Sequence, residues 1–327
     1  MRDVVMVFRK PNSLSKSIEF LFHTLYQDIK DDLNIEEFEL PQFSTGVMHR
    51  LHNVFTLLRF RRCIIHITGD SYYSVLGAVF CKRLITIHDL SFLTRTRGIK
   101  RKILRLFWIT LPTRFAHKIV VVSHATKQAL LKEQNLNPGK IQVIYNFIDP
   151  IYKPVPRTFN KNQPRILQVG VDFNKNIENV IKALEGINCT LVIIGRLSEP
   201  KRELLKLFKI NYIDRYSLTT QEVYNEYLKA DIMIFVSTIE GFGLPILEAQ
   251  ATGLPVIVSN CSSMPEVAGE GALLVNPFDA LCIRNGIMEL IANEEKRSTF
   301  VIAGFENVKR FSKEKIVSDY LKVYKDL

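Results

Sequence analysis

Hydrophobic positions along the chain fall into short apolar runs that alternate with longer segments of helical spacing. Runs of four to eight apolar residues are typical of buried parallel strands, and apolar residues three or four positions apart are typical of one helix face. Strands are predicted at 4–8, 35–40, 63–68, 83–88, 119–122, 141–144, 165–170, 190–195, 211–213, 232–236 and 255–258. Helices are predicted at 17–30, 45–60, 124–133, 177–186, 219–229, 244–251, 281–293, 296–310 and 313–324. This alternation predicts an α/β protein with parallel sheets.

A group of prolines near the middle of the chain predicts a boundary between two domains. Pro150, Pro154 and Pro156 follow the last strand of the first half, and the strand–turn–helix pattern begins again at Arg165. A chain of 327 residues is long enough for two domains. We therefore predict two Rossmann-like domains, 1–150 and 151–310, with the carboxyl ends of their parallel strands facing a central cleft.

The stretch from 232 to 258 carries the clearest chemical signal. Its apolar strand is followed by the turn Gly241-Phe242-Gly243 and by a helix that starts near Leu244. Backbone N–H groups at such a helix start attract phosphate, and glycines let a diphosphate come close. Two acids, Glu240 and Glu248, bracket this turn. Because phosphate would repel a carboxylate, the natural partners of these two acids are sugar and ribose hydroxyls.

This pattern, two glutamates separated by seven residues around Gly241-Phe242-Gly243-Leu244-Pro245, resembles the signature of the GT-B retaining glycosyltransferases of family 4. The following segments, 259–267 and 274–279, are also similar to that family. The resemblance implies a GT-B fold in which the last helix, 311–327, joins the first domain. It also implies transfer of a sugar from a nucleotide-diphosphate-sugar to a glycan or lipid-linked acceptor, with retained configuration, in bacterial surface polysaccharide synthesis. No cofactor and no metal are expected.

The resemblance further implies roles for individual residues. Glu240, His88 and Lys175 are the catalytic candidates: Glu240 holds sugar hydroxyls, His88 lines the sugar pocket and Lys175 adds charge to the leaving group. The donor-binding candidates are Gly241, Phe242, Gly243, Leu244, Glu248 and Arg196. On the acceptor side the candidates are His66 and Asp70. Each has an ordinary alternative, since a lone histidine on a strand is usually a core residue and a loop cation is usually solvated.

Two departures from the family pattern favour a second hypothesis. The loop after the first strand, 9–19, contains no glycine, and the arginine expected after the strand at 165–170 is replaced by Val171 and Asp172. The chain could therefore be an inactive, membrane-associated scaffold for a glycan assembly complex. A nicotinamide dehydrogenase is disfavoured, because no Gly-x-Gly-x-x-Gly motif follows the first strand.

Net charge and cysteine content limit which binding partners and which cellular location we expect. The net charge is +11, which fits a nucleic acid, an anionic membrane, an anionic substrate or a simply solvated surface, and no nucleic-acid-binding motif accompanies it. Cations and apolar residues interleave at 95–110, as in an interfacial helix and also in an ordinary surface helix. Five scattered cysteines form no disulfide framework, and no apolar run is long enough to span a membrane. We expect a cytoplasmic protein, with 95–110 as a candidate contact to the inner face of the plasma membrane.

Overall fold

A computed structural model describes residues 3–10 and 17–327 and divides the chain into two compact units. The first unit comprises Met1–Phe147 and Lys313–Leu327, and the second comprises Ile148–Ser312. Each unit contains one six-stranded sheet. The predicted α/β class with parallel sheets is therefore confirmed.

All strands of the first sheet are parallel and lie in the order β2-β1-β3-β4-β5-β6. The strands are β1 (Val4–Phe8), β2 (Ile35–Glu39), β3 (Ile64–Ile67), β4 (Lys82–Ile87), β5 (Lys118–Val121) and β6 (Ile141–Val143). From β1 the chain first builds one side of the sheet and then, from β3 onward, the other. The crevice at the carboxyl ends of β1 and β3 is thus the switch point where such sheets bind ligands.

Helices cover this first sheet. They are α1 (Ser17–Ile29), α2 (Gly46–Thr56), α3 (Ser91–Thr94), α4 (Gly98–Leu104), α5 (Leu111–Phe115) and α6 (His124–Glu133), with 3-10 turns at Leu57–Arg59, Tyr72–Gly77 and Pro138–Lys140. A π-helical turn, Arg105–Thr110, joins α4 to α5, so the predicted basic helix is a continuous helical run of mixed geometry. The side chain of Ser123 caps α6, since the backbone N–H of Thr126 donates to Ser123 Oγ at 3.0 Å.

The second sheet repeats the design in the order β12-β11-β10-β7-β8-β9. Its strands are β7 (Arg165–Val169), β8 (Thr190–Ile194), β9 (Tyr212–Arg215), β10 (Ile232–Phe235), β11 (Val256–Ser259) and β12 (Leu273–Val275). The chain leaves β7 toward β8 and β9 and later returns to the other side at β10. The switch point of this sheet therefore lies between the carboxyl ends of β7 and β10.

Seven helices pack on the second sheet within its described residues, and one more returns to the first unit. They are α7 (Ile177–Leu184), α8 (Glu199–Leu207), α9 (Thr220–Lys229), α10 (Leu244–Ala251), α11 (Met264–Ala268), α12 (Ala280–Ala292), α13 (Glu294–Val308) and finally α14 (Lys313–Lys325). A capping box formed by Thr219 and Glu222 starts α9. By contrast α8, β12 and the short helices α3 and α11 have no predicted counterpart; α8 is a mostly polar helix that buries only Leu205, so no apolar run marks it in the sequence.

Buried apolar residues on α14 join the core of the first unit. Ile316, Tyr320, Val323 and Tyr324 are each about 1% exposed and pack with residues of α1, β1 and β4. Outside this core, Lys313 Nζ lies 2.9 Å from Asp28 Oδ1 on α1. These contacts fix the last helix of the chain against the first sheet. In the described residues no helix has the length and apolar character needed to cross a bilayer.

Gly77 is a point in the first unit where the packing admits no side chain. A Cβ built there would lie 1.8 Å from the carbonyl oxygen of Val54 on α2, whereas one at Gly69 would meet nothing within 4 Å. We expect Gly77→Ala to lower the free energy of unfolding by about 1–3 kcal/mol or more, because the backbone of α2 must move. Chemical denaturation should show this loss, with Gly69→Ala nearly neutral as the control. Equal stability of the two variants would contradict the packing described.

Candidate active site

The candidate site of the second unit lies at the switch point of its sheet. The loop after β7 carries Lys175, and the loop after β10 carries Glu240. The two strands are direct neighbours, and their parallel carboxyl ends bring both loops to the same edge. Residues 65 positions apart in sequence therefore meet.

Lys175 and Glu240 form a short ion pair. Lys175 Nζ lies 2.6 Å from Glu240 Oε1, and the Asn174 side-chain amide donates to the same oxygen at 3.1 Å. The side chains of Lys175 and Glu240 are 17% and 14% exposed, so both remain accessible to a ligand. The pair places one cation and one hydrogen-bond acceptor side by side, which suits a ligand with both an anionic group and hydroxyls.

The Lys175 side chain lies in a closely fitting seat. Its ammonium is 4.6 Å from the centre of the Phe235 ring on β10, a cation–π contact. Gly170, with φ +87°, lies below the aliphatic part, where an added Cβ would come within 2.8 Å of Lys175 Cε. The absence of a side chain at Gly170 therefore creates the space that Lys175 occupies.

Two serines that the sequence analysis did not single out hold the backbone of Glu240. The N–H of Glu240 donates to Ser262 Oγ at 3.1 Å, and Ser262 Oγ lies 2.7 Å from the carbonyl oxygen of Glu240. Ser263 Oγ lies 3.0 Å from that same oxygen and 2.8 Å from the carbonyl oxygen of Phe242. The similarity of 259–267 to the family was the available signal, but only the structure shows that this loop orients Glu240.

The predicted Gly-Phe-Gly turn leads directly into α10. Gly243 is the N-cap residue with φ +111°, a backbone conformation that favours glycine, and the helix begins at Leu244 with Pro245 in its first turn. Gly241, Phe242 and Gly243 are buried, and the Phe242 ring packs edge-on against Phe311. No side chain caps this helix, so its N-terminal end presents backbone groups and the positive end of the helix dipole.

Glu248, one turn inside α10, is held by two tyrosines. The Tyr227 hydroxyl donates to Glu248 Oε2 at 2.6 Å, and the Tyr152 hydroxyl also hydrogen-bonds this carboxylate. Burial raises the pKa of Glu248 to about 7, and the two tyrosine hydrogen bonds partly oppose that rise. Neither tyrosine was predicted, because Tyr152 lies in the proline-rich segment and Tyr227 on α9. Glu248 is thus an acceptor that changes charge near neutral pH.

Arg196, the second cation predicted to bind the donor diphosphate, lies on an exposed loop without a partner among the described residues that would position it. Arg196 follows β8 and is exposed to solvent, and no hydrogen bond or ion pair of its side chain is seen within 3–10 and 17–327. The expected arginine is replaced by Val171, which packs against Gly195, and by the exposed Asp172. Lys201 of α8 donates to the carbonyl oxygen of Val171 and so supports the loop that carries Lys175.

In the first unit, His88 lies just after β4 at the carboxyl edge of the sheet, as predicted. Its Nε2 donates to the carbonyl oxygen of Thr68 at 2.8 Å, which leaves Nδ1 as the acceptor nitrogen. Burial lowers the pKa of His88, so the imidazole is neutral at pH 7. Asp89 does not orient this ring; its carboxylate accepts from the N–H of Ser91 at 2.8 Å and caps the next turn.

Asp70 lies on the same edge of the first sheet. Its side chain is 58% exposed and pairs with Arg9 at 3.0 Å, and its carbonyl oxygen accepts from Trp108 Nε1 at 3.0 Å. Arg9 also pairs with Glu19 of α1. Of the glycine-free loop at 9–19, residues 11–16 lie outside the described residues. The exposed carboxylate of Asp70 remains accessible for an acceptor.

His66, the other acceptor-side candidate, lies in the core instead. It is fully buried, with Nδ1 2.7 Å from the Tyr324 hydroxyl and Nε2 2.8 Å from Thr86 Oγ1. Burial lowers its pKa to about 3, so it is neutral. With both ring nitrogens bonded to buried hydroxyls, His66 has none left for an acceptor. It instead connects α14 to the centre of the first sheet.

Two family models of glycosyltransferases match the chain. Residues 33–151 match the family described as Glycosyltransferase Family 4, and residues 153–307 match Glycosyl transferases group 1. O-antigen chain mannosyltransferase RfbU of Salmonella typhimurium is 29% identical over 206 residues, which cover 60% of this chain and 57% of that protein. The chain thus spans less than two thirds of this relative's length.

Solved structures agree at the level of fold. Sucrose-phosphate synthase from Thermosynechococcus elongatus has a TM-score of 0.81 at 16% identity, over 100% of this chain and 99% of that chain. Anabaena HepE in complex with UDP-glucose has a TM-score of 0.78 at 15% identity, over 100% of both chains. Two doubly wound parallel sheets of this kind define the GT-B class. The chain belongs to the group 1, family 4 glycosyltransferases.

Proposed function

We propose that this enzyme transfers a sugar, with retention of configuration, from a nucleotide-diphosphate-sugar to a glycan or lipid-linked acceptor in bacterial surface polysaccharide synthesis. The observation that carries the proposal is the cluster of Lys175, Glu240 and Glu248 around the N-terminus of α10. The cluster offers a cation and a helix end for the diphosphate, and two carboxylates for hydroxyls. RfbU, which is named as a mannosyltransferase, and HepE, whose structure contains UDP-glucose, support the donor and the product class.

In the proposed mechanism each side chain of the site has one task. When the donor binds, its diphosphate replaces Glu240 as the ion-pair partner of the Lys175 ammonium. The carboxylate oxygen of Glu240 that this exchange releases then accepts hydrogen bonds from the hydroxyls of the transferred sugar. Lys175 and the amides at the start of α10 then stabilise negative charge on the leaving phosphate as its bond to the sugar breaks. A leaving-phosphate oxygen removes the proton of the acceptor hydroxyl, which attacks from the same face, so configuration is retained.

We also propose that no bound metal is needed at this site. Lys175 supplies the positive charge that a divalent ion would otherwise give to the leaving group. Through 3–10 and 17–327, no group of three or more His, Cys, Asp or Glu side chains could hold a metal ion. Transfer should therefore persist in the presence of a chelator.

The alternative of an inactive scaffold is weakened by the site itself. A scaffold has no need of an accessible Lys175–Glu240 pair, a glycine seat for the lysine and serines that fix the glutamate backbone. The glycine-free loop at 9–19 and the missing arginine are the arguments for that alternative, and the arginine would be one of several groups that face the diphosphate. The cluster as a whole favours the enzyme.

Ligand screening of the purified chain tests the proposed donor. UDP-, GDP- and ADP-sugars are compared by thermal shift, in which a ligand at 100 times its dissociation constant adds about 2.7 kcal/mol of stability. Release of sugar from a radiolabelled donor by the chain alone then separates an enzyme from a scaffold. Absence of any shift with all three nucleotides, together with absence of donor hydrolysis, would overturn the proposal.

Donor affinity should depend on pH through Glu248. Ribose hydroxyls donate to a carboxylate, and burial raises the Glu248 pKa to about 7, so affinity for an intact nucleotide sugar should rise between about pH 6 and 8. In Tyr227→Phe the midpoint should move to higher pH, because the tyrosine hydrogen bond lowers this pKa. Calorimetric titration should show a flat profile for Glu248→Gln. An unchanged pH profile in that variant would contradict the assignment.

Protonation of Glu248 also makes the stability of the protein depend on pH. The folded chain binds the Glu248 proton more tightly than the unfolded chain, in which this glutamate has its ordinary pKa. The contribution of this proton to the free energy of unfolding is therefore complete below the ordinary pKa of glutamate, and it is lost as pH rises through about 7. Affinity for the donor and stability of the free chain should thus change in opposite directions with pH.

A further inference from the structure

The two units differ sharply in charge. Residues 1–147 with 313–327 contain 26 Lys and Arg against 14 Asp and Glu, a net charge of +12, whereas residues 148–312 contain 18 against 19, a net charge of −1. The net positive charge of the protein therefore lies in the first unit, whereas the candidate donor site lies in the second. An anionic donor does not explain cations located in the first unit.

Within the first unit the cations are concentrated in one acid-free stretch. No Asp or Glu occurs between Asp89 and Glu133, and ten Lys and Arg do. Glu133 pairs with Arg101 at 2.5 Å and with Arg105 at 3.3 Å. Among the remaining cations of α4 and the residue before it, Arg97, Lys100 and Lys102 are exposed. They form no ion pair within residues 3–10 and 17–327, so their charge is available to a partner.

The same helical run exposes large apolar side chains. Ile99 and Ile103 on α4 are 76% and 51% exposed, and Leu106 and Phe107 on the π turn are 42% and 44% exposed. Ile99 and Ile103 lie four residues apart and so share one face of α4, and Lys100 and Lys102 fall on either side of that face. Exposed apolar residues grouped in this way mark an interaction surface.

A second exposed apolar stripe lies on the neighbouring helix α2. The guanidinium of Arg50 on α2 lies 4.6 Å from the centre of the Trp108 ring in the π turn, so the two elements are in contact. Val47, Met48 and Phe55 of α2 are each more than 60% exposed. No Asp or Glu occurs from Pro41 to Gly69 either. Apolar and basic character therefore extends beyond a single short helix.

We propose that α4 and the π turn form a docking face for an anionic lipid bilayer, into which Ile99, Ile103, Leu106 and Phe107 insert while Arg97, Lys100 and Lys102 contact the headgroups. A nucleic acid would use the cations but would leave the exposed isoleucines in water. An acidic protein would need matching apolar pockets, whereas a bilayer offers charge and apolar depth together. The docking face does not depend on the sugar-transfer reaction proposed above.

Vesicle flotation tests the docking face directly. The protein is mixed with vesicles of phosphatidylcholine alone or of equimolar phosphatidylcholine and phosphatidylglycerol. We expect flotation with the anionic vesicles only, and weaker flotation at high salt because surface attraction is screened. Lys100→Gln with Lys102→Gln should weaken partitioning about 30-fold, since each cation contributes about 1 kcal/mol near an anionic surface. Ile99→Ser with Ile103→Ser should weaken it at least about 10-fold.

Matched controls come from the second unit. Leu207→Ser with Ile302→Ser removes two apolar side chains that are 73% and 66% exposed, and Lys161→Gln with Lys206→Gln removes two exposed lysines that, like Lys100 and Lys102, form no ion pair in the described residues. These variants should float like the unmodified chain. The docking face is refuted by equal flotation with neutral vesicles, by no flotation at all, or by variants of α4 that bind as well as the controls.

Further measurements test whether the docking face binds a second copy of the chain or a nucleic acid instead, and whether the donor site stays intact in the variants. Sedimentation without lipid would assign the face to a second copy of the chain if a dimer formed and was lost in Ile99→Ser with Ile103→Ser. A duplex oligonucleotide that bound tightly to that same variant would point to nucleic acid; either result overturns the lipid proposal. Thermal shift with whichever of the UDP-, GDP- and ADP-sugars stabilises the unmodified chain reports the donor site separately, and it should be the same in the α4 variants and the unmodified chain.

Discussion

Glu240→Gln should lower kcat of sugar transfer by about 10²- to 10³-fold, and Glu240→Ala should abolish measurable transfer. The carboxylate accepts two hydroxyl hydrogen bonds at once, whereas the glutamine amide offers a single acceptor and cannot stabilise positive charge that develops on the sugar. The dissociation constant for the nucleotide alone should change little, because the nucleotide contacts of the proposed complex lie at Lys175, α10 and Glu248.

The measurement is turnover of a radiolabelled nucleotide sugar, combined with nucleotide binding by thermal shift. Glu270→Gln is the control, since Glu270 is an exposed glutamate of the same unit outside the cluster. Loss of the carboxylate also leaves the Lys175 ammonium without its 2.6 Å partner, so a small change in stability is expected in the free enzyme. Full turnover by Glu240→Gln would remove Glu240 from the mechanism.

The part of this site that could be predicted from sequence is the part built by local rules. An apolar run, two glycines and a proline specify the strand β10, the turn and the start of α10 within about twenty residues. Gly243 indeed has a positive φ, and α10 spans Leu244–Ala251 as predicted. Glu240 lies just before that turn and Glu248 about one helical turn inside α10, and these positions together with the family resemblance made both acids candidates.

Contacts between distant residues could not be predicted in this way. The sequence left His66 open as an acceptor-side candidate or a core histidine, and the contact of its Nδ1 with Tyr324, 258 positions away, decides for the core. The tyrosines that hold Glu248 come from α9 and from the segment after Asp149. A single sequence contains no information on which buried hydroxyl will meet which side chain, so burial and pKa became clear only with the fold.

The irregular helical run after α4 shows another limit. Its apolar spacing predicted one interfacial or surface helix, but the chain changes to π geometry at Arg105, which a period of 3.6 residues cannot represent. The alternative left open by the sequence was whether the apolar stripe packs on the sheet. Ile109 does pack inside, while Ile99 and Ile103 remain exposed, so the run divides its apolar residues between core and surface.

Lys175→Ala should lower kcat by about 10²- to 10³-fold, because the leaving diphosphate loses the one cation that lies beside Glu240 in the described part of the second unit. Lys175→Arg should recover part of this loss: it keeps the charge, but its larger planar guanidinium cannot take the position of the compact ammonium 2.6 Å from Glu240 while its stem lies against Gly170. Turnover of the radiolabelled donor, measured with saturating nucleotide sugar, separates this effect from weaker binding.

A pair of glycines tests whether the position of Lys175, and not only its charge, matters. Gly170→Ala and Gly186→Ala both place a side chain at positive φ, at +87° and +71°, so both should cost about 1–2 kcal/mol of stability. Only the first puts a Cβ within 2.8 Å of the lysine side chain, while the second meets nothing within 4 Å. Turnover should therefore fall much further in Gly170→Ala than in Gly186→Ala, although the two variants have similar stability. Equal turnover in the two variants would show that catalysis does not depend on the exact position of the Lys175 ammonium.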